Sequence, residues 1–290
     1  MRRILPIISL IFLYAVSALG QIHGPSVPNP ADSGLPPLFL SLTDDAAVSP
    51  GVPQDQAKVP VVIPVSMPRM APDLALRVYR DRAALQNTRL VSYSATTVIR
   101  AQLPDTQQSG EYELERDYSA PHTLAFKAVR YTGDNFVKGN VILRLLQSEV
   151  EHVQKDDPSL NAISPENYKF SYKGLSQVND RTVYVYQLKP RHKRVGLFKG
   201  RIYLDAYNGG IVRAEGTVSK SPSLFIKRIL FVQDYQEIGP FTLPVRMHSE
   251  AQTRLVGRAI VDVYENNYQP IANSNQSDDL SRRVAATPSL

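Results

Sequence analysis

Alternation of apolar and polar residues dominates the chain from Leu90 onward and predicts β-strands. In LVSYSATTVIRAQL, every second residue from Val91 to Ile99 is apolar or β-branched, which is the period of a strand with one buried face. Nine further stretches have strand character: EYELERDY, TLAFKAVRY, YKFSYKG, TVYVYQLKP, LFKGRIYLDA, GIVRAEGTVS, SLFIKRILFVQDYQ, FTLPVRMHSEAQ and GRAIVDVYENNYQ. Turn residues separate them, and Asn208-Gly209 is the strongest hairpin signal. We therefore predict ten strands.

Helical spacing occurs twice, once before the first predicted strand and once between the third and the fourth. The first helix is expected after Pro72, with Asp73 as its N-cap and an apolar face formed by Leu74, Val78 and Leu85. The second is expected between a cap at Asn140 and Pro158. Its apolar positions are Leu143, Leu146, Val150 and Val153. Long strands with only two helices favour one large curved antiparallel sheet over a sandwich of short strands.

Composition divides the chain into four parts. Residues 21–72 carry eleven of the 22 prolines, which block helix and central strand, so this part is expected to be a disordered linker. The strands and helices define one domain, 73–270. The polar, aperiodic stretch 271–290 is expected to be a disordered tail. Residues 1–20 differ from all three.

The first twenty residues have the features of a secretory signal peptide. Arg2 and Arg3 precede an apolar run from Ile4 to Ala18, and Ala18-Leu19-Gly20 offers small residues before a cut at Gln21. An uncleaved membrane anchor is the alternative, although the run is short for a spanning helix. The chain has no cysteine, so it has no disulfide and no lipid-modified cysteine. Removal of residues 1–20 would lower the formal charge from +6 to +4.

No stretch of the sequence carries a catalytic or metal-binding motif. The five histidines are dispersed, and there is no glycine-rich phosphate loop and no nucleophile elbow. Glu111, Glu113 and Glu115 share one strand face, which is more typical of a solvated surface than of a carboxylate pair drawn from different elements. We therefore predict neither an enzyme nor a cofactor.

Basic residues concentrate between two predicted strands. The six cations of this stretch are Lys189, Arg191, Lys193, Arg194, Lys199 and Arg201. Nucleic acid is a poor partner for an exported chain, so we expect an anionic membrane surface or an acidic envelope protein. Ordinary solubilising charge is the alternative.

Several strands are apolar on both faces and must bury both. In TVYVYQL, Val183 and Val185 alternate with Tyr184, Tyr186 and Leu188. One face could pack against the helices and the other could line a cavity. Plain core packing is the alternative, because buried strands and pocket strands have the same pattern.

The order of elements, and two segments in particular, resemble the LolA/LolB-like lipoprotein-sorting family. GRIYLDAYNGGIVRAEG is similar to a family hairpin in which a strand ends in Asp and a "hydrophobic–Arg" strand follows. IGPFTLPVRM is similar to its later strand, with Gly239, Phe241 and Pro244. The resemblance covers about 73–270. It implies an incomplete, highly curved antiparallel β-barrel of about 10–11 strands capped by two helices, with an apolar cavity that takes up lipoprotein acyl chains.

We therefore expect a periplasmic, monomeric carrier of lipoproteins or other acyl-chain lipids. The positions expected to line its cavity are Tyr93, Ala95, Tyr112, Leu114, Val183, Val185, Ile202, Leu204, Val212, Ala214, Val261 and Val263. A shift of one residue would move every one of them to the other face. The alternative is a non-catalytic envelope scaffold or stress sensor with a filled interior that binds a protein partner.

Overall fold

The computed structural model describes residues 68–155, 157–221, 226–254 and 256–273. The predicted signal peptide, the linker up to residue 67 and the tail from residue 274 lie outside the described residues. The described residues form ten strands: β1 (Leu90–Leu103), β2 (Gln108–Ser119), β3 (Thr123–Gly133), β4 (Tyr168–Val178), β5 (Arg181–Pro190), β6 (Phe198–Asp205), β7 (Ile211–Val218), β8 (Ile226–Ile238), β9 (Phe241–Thr253) and β10 (Arg258–Ala272). All ten predicted strands are confirmed.

The ten strands form one antiparallel sheet that does not close. Their order is β3-β2-β1-β10-β9-β8-β7-β6-β5-β4, so every neighbour follows along the chain except at the β1–β10 pair. In that pair, Ile99 faces Val263 and Ala101 faces Val261. The predicted fold, an open curved β-barrel, is confirmed.

Strands β6 and β7 approach each other closely at two glycines. Gly200 faces Gly216 in the register. A Cβ on Gly200 would lie 1.8 Å from the carbonyl oxygen of Glu215, so no larger residue fits there. Glycine in a strand interior weakens a strand and is typical of a sharp bend or a close backbone approach. We expect this pair to be one of the places where the sheet curves.

The first helix, α1 (Pro72–Arg89), lies against the sheet through a different face from the predicted one. Pro72 is its first residue, and Ala71 occupies the N-cap position without a side-chain cap, so the Asp73 cap is wrong. The buried positions are Ala75, Tyr79, Gln86 and Asn87. Leu74 and Leu85 are 41% and 44% exposed. The predicted apolar face is therefore also wrong.

The second helix, α2, begins earlier than predicted. It runs through a turn at Asn135–Val137, a π-helical segment at Lys138–Ile142 and an α-helix at Leu143–Lys155. Asn140 lies inside it, where its side-chain amide donates to the carbonyl of Phe136 at 3.1 Å, so it is not the cap. Leu146 is buried as predicted, whereas Leu143 is exposed. Neither helix of the described chain is long and apolar enough to span a membrane.

Candidate functional site

The face of the sheet that contacts the helices, here called the inner face, is a continuous apolar surface. On β5 and β6, Tyr184 pairs with Leu204 and Tyr186 with Ile202. These residues belong to one buried cluster, here called the main cluster, which continues through β7–β10 to β1 and β2 and includes residues of both helices. The opposite side of the sheet is called the outer face.

The structure places the twelve predicted lining residues on both faces. Seven lie on the inner face in the main cluster: Tyr112, Leu114, Ile202, Leu204, Ala214, Val261 and Val263. Tyr93 and Ala95 lie on the inner side of β1 in a second cluster, with Phe241 and Leu243. The remaining three, Val183, Val185 and Val212, form a small third cluster with Val178 and Tyr203.

The third cluster lies on the outer face. Val183 and Val185 alternate with Tyr184 and Tyr186, whose hydroxyls donate to the carbonyls of Met70 and Pro72 beside α1. Because successive strand residues point to opposite faces, the valines point away from the helices. These three residues therefore do not share a surface with the other nine.

Polar contacts fasten α1 to the sheet. The side-chain amide of Gln86 donates to the carbonyl of Thr242 at 3.0 Å, and its oxygen accepts from the backbone N–H of Thr242 at 2.8 Å. Arg82 pairs with Glu237 and donates to the carbonyl of Asn208 at 3.2 Å. Apart from Ala75 and Tyr79, α1 contributes no fully buried apolar residue. Leu76 and Ala83 pack against the main cluster while partly exposed, so α1 is held by both apolar packing and hydrogen bonds.

A buried ionic cluster fastens α2. Arg116 of β2 is 3% exposed and pairs with Glu149 of α2, which is 1% exposed. A second nitrogen of Arg116 donates to Glu265 of β10 at 3.0 Å, and its Nε donates to the hydroxyl of Tyr93 at 3.1 Å. The hydroxyl of Tyr268 donates to Glu265. One guanidinium therefore joins α2 to two strands of the inner face.

Burial raises the pKa of Glu149, the Arg116 guanidinium opposes this rise, and the nearby Glu265 carboxylate adds to it. Its Oε2 has no hydrogen-bond partner among the described residues. Burial also raises the pKa of Tyr268, and the neighbouring Glu265 raises it further. Sequence reasoning missed this cluster. The available signal was the alternation in EYELERDY, which places Arg116 on the same face as Tyr112 and Leu114.

The three glutamates of β2 lie on the outer face, on one side of the strand as their spacing predicted. Glu111 pairs with Arg100 at 2.6 Å, and Glu115 with Lys127 at 2.8 Å. Glu113 lies 3.5 Å from Arg130. Each carboxylate is partly exposed and has its own cation, so the three form a solvated, ion-paired surface. Among the described residues, no group of three or more His, Asp and Glu side chains could hold a metal ion.

A cleft of about 610 Å³ lies on the outer face and was not foreseen from the sequence. Lys199, Arg201 and Glu215 line one side of it, with Leu230 and His248 on the other. The imidazole of His248 lies 2.9 Å from Asp262 and 3.4 Å from Glu250. None of the twelve predicted lining residues lines this cleft. Its lining is of mixed polarity, unlike that of the inner face.

Solved structures similar to this chain include a putative outer membrane lipoprotein-sorting protein domain from Vibrio parahaemolyticus, at 11% identity over 73% of this chain and 98% of that one, with a TM-score of 0.38. A LolA superfamily protein from Nitrosomonas europaea has 10% identity over 69% and 93% of the two chains and a TM-score of 0.34. The Pseudomonas aeruginosa MucA/MucB complex gives 11% identity over 71% and 95%, with a TM-score of 0.23. At these TM-scores, the fold rests on the strand order described above.

Comparison with known protein families finds no match, and neither does comparison with curated protein sequences.

Proposed function

We propose that this protein binds acyl chains of lipoproteins or other lipids between the inner face of its sheet and its two helices. One observation carries the proposal: the inner face is a continuous apolar surface covered by two helices, and each helix also makes polar contacts with the sheet. Movement of the helices would exchange those contacts for water and open an apolar trough. An acyl chain would fill it by burial, at about 0.8 kcal/mol per methylene, with no catalytic group required.

The features of residues 1–20 support export, so the proposal places this binding in the periplasm. The first experiment is native mass spectrometry of the protein purified from its own cell envelope, followed by extraction of any lipid that co-purifies. A bound acyl-chain lipid in stoichiometric amount supports the proposal. In addition, the affinity for fatty acids should rise about fourfold for each added methylene. An affinity independent of chain length would contradict burial in the trough.

A reversible crosslink tests whether α1 must move. A Cβ at Gly209 would lie 3.0 Å from the Cβ of Val78, so a disulfide, which spans about 3.5–4.5 Å between Cβ atoms, forms after a small outward shift. Gly209 has a φ of +69° and its Cβ would lie 2.9 Å from the carbonyl oxygen of Ala75, so a cysteine there is strained in both the oxidised and the reduced protein. Because the chain has no cysteine, Val78→Cys with Gly209→Cys would form a single disulfide joining α1 to the β6–β7 turn. We expect the oxidised protein to bind fatty acid at least about tenfold more weakly than the same protein after reduction, which is its matched control. The single variant Val78→Cys reports any effect of the oxidant. Equal binding in both states would contradict entry beneath α1.

A protein-binding module is the second candidate. It is favoured by the close packing of the inner face, where Ile99, Leu204 and Ala214 have no exposed surface. In that case the protein would be purified without lipid and would take up neither fatty acid nor lipopeptide. The interior would then serve only as the core of a scaffold.

A further inference from the structure

Three lysines stand side by side on the outer face at the β4 edge of the sheet. Lys169 of β4 is directly opposite Lys189 of β5. The register of β5 with β6 pairs Leu188 with Gly200, so the next position brings Lys199 beside Lys189. All three are exposed. Like charges directly opposite each other destabilise a sheet, so this lysine row lowers the stability of the fold. A binding function would explain why the three lysines are present.

The charge of the lysine row is not neutralised within the part of the chain that the structure describes. No carboxylate there lies within ion-pair distance of Lys169, Lys189 or Lys199. The nearest acid in the register, Glu215, accepts from the hydroxyl of Tyr203 at 2.6 Å and lies 3.9 Å from Arg201. The row is therefore available to an external anion.

The loop between β5 and β6 adds to the same end of the sheet. Arg191 donates to the carbonyl of Pro165 at 2.7 Å, and Arg194 to the carbonyl of Leu160 at 3.1 Å. These two arginines hold the loop in place. Lys193 lies between them in the chain and is exposed, and no carboxylate of the described residues pairs with it.

We propose that the lysine row and Lys193 dock this protein onto an anionic lipid bilayer. Lysines are flexible point charges, which suit the mobile headgroups of a membrane surface. Recognition of a folded acidic protein favours the fixed forks of arginine, and here Arg191 and Arg194 bind the protein's own backbone. The outer cleft lies beside the row and includes Leu230, which is 40% exposed. This docking goes beyond acyl-chain binding and uses the opposite face of the sheet.

Vesicle co-sedimentation tests the docking. The purified protein is mixed with vesicles containing phosphatidylglycerol or with neutral phosphatidylcholine vesicles. We expect binding to the anionic vesicles only, and loss of binding in about 1 M salt, where the Debye length is about 3 Å. Lys169→Gln with Lys189→Gln and Lys199→Gln should weaken binding roughly 100-fold, since each lysine near such a surface contributes about fivefold.

A charge-matched variant separates the lysine row from net charge. Lys127→Gln with Arg130→Gln and Lys155→Gln also removes three cations, but these lie on β3 and α2 and pair with glutamates. This variant should bind anionic vesicles within about threefold of the wild type. Equal loss in both triple variants would reduce the effect to net charge and overturn the proposal.

Two other results would also overturn it. One is failure of the wild type to bind anionic vesicles. The other is binding to a polyglutamate peptide without binding to vesicles, which would identify an acidic protein partner instead. Fatty acid binding in solution should be unchanged in both triple variants. Loss of vesicle binding with intact fatty acid binding therefore distinguishes failure of the docking surface from failure of the inner-face trough.

Discussion

Arg116 joins the helix-covered side of the sheet to α2 through a single guanidinium. Its single positive charge faces two carboxylates, Glu149 and Glu265, and all three groups are nearly without solvent. A buried charge without a partner costs several kcal/mol. Two ionised carboxylates beside one guanidinium would leave a buried net negative charge, which is unfavourable. Burial accordingly raises the pKa of Glu149, while the Arg116 guanidinium opposes the rise.

The raised pKa of Glu149 predicts a pH dependence of stability. A carboxyl group with a higher pKa in the folded state stabilises the protein at low pH, and this contribution is lost as pH rises from about 4.5 through the folded-state value. Glu149→Gln lacks that loss. Its free energy of unfolding should therefore rise relative to the wild type over this range. Urea unfolding at several pH values measures the difference.

A nearby carboxylate provides the control with the opposite sign. Glu151 is exposed, and the hydrogen bond from Lys155 lowers its pKa. The free energy of unfolding of Glu151→Gln should therefore fall slightly relative to that of the wild type as pH rises. The change should be much smaller than for Glu149→Gln, because solvent screens the pair of Glu151 and Lys155. If Glu149→Gln behaved like Glu151→Gln, the proposed state of the buried cluster would be wrong.

At the scale of the element, Gln86 shows how a polar residue helps to set the position of a helix on a sheet. Gln86 satisfies both backbone groups of Thr242, much as a neighbouring strand would. Helical spacing alone singled out Leu74 and Leu85, because the pattern identifies apolar residues and not the surface that faces them. The buried side of α1 could not be predicted from an amide whose partner lies 156 residues away.

Removal of this amide should release α1. Gln86→Leu keeps a side chain of similar volume but removes the hydrogen bonds to the N–H and the carbonyl of Thr242. Each of these buried groups then lacks a partner, which costs about 1–3 kcal/mol of stability. We expect a drop of about 2–5 kcal/mol in the free energy of unfolding, together with faster amide exchange in α1. The matched variant Leu85→Gln alters the adjacent exposed position and should change stability by less than about 0.5 kcal/mol. Similar losses in both variants would contradict the role given to Gln86.

At the scale of the whole molecule, local pattern revealed the strands but not their assembly. Alternation is a property of neighbouring residues, so LVSYSATTVIRAQL was identified over the full length of β1. The β1–β10 pair joins residues far apart in the chain, so no local sequence pattern predicts it. The same limit applies to the site: alternation separated Val185 from Tyr186 but did not say which of the two faces the helices cover.

The strand order predicts where the molecule opens first. Strands β9 and β8 lie in the middle of the sheet, whereas β3 and β4 each pair on one side only within the described residues. Hydrogen–deuterium exchange should therefore be slowest in amides of the β8–β9 pair and fastest in the outward amides of β4. β2 and β5 are the internal comparison, as each lies one strand inside an edge. Strong protection along the outer side of β4 would contradict an unpaired edge in solution.

The pairing of β1 with β10 also has a consequence for biosynthesis. Strand β1 is synthesised before the other strands, but it can pair with β10 only after that last described strand has been made. Contacts of such large sequence separation slow folding, because a long loop must close before any of them stabilises the chain. The complete sheet can therefore form only after β10 has been synthesised. If the predicted signal peptide directs export, this late pairing would help to keep the chain unfolded during translocation.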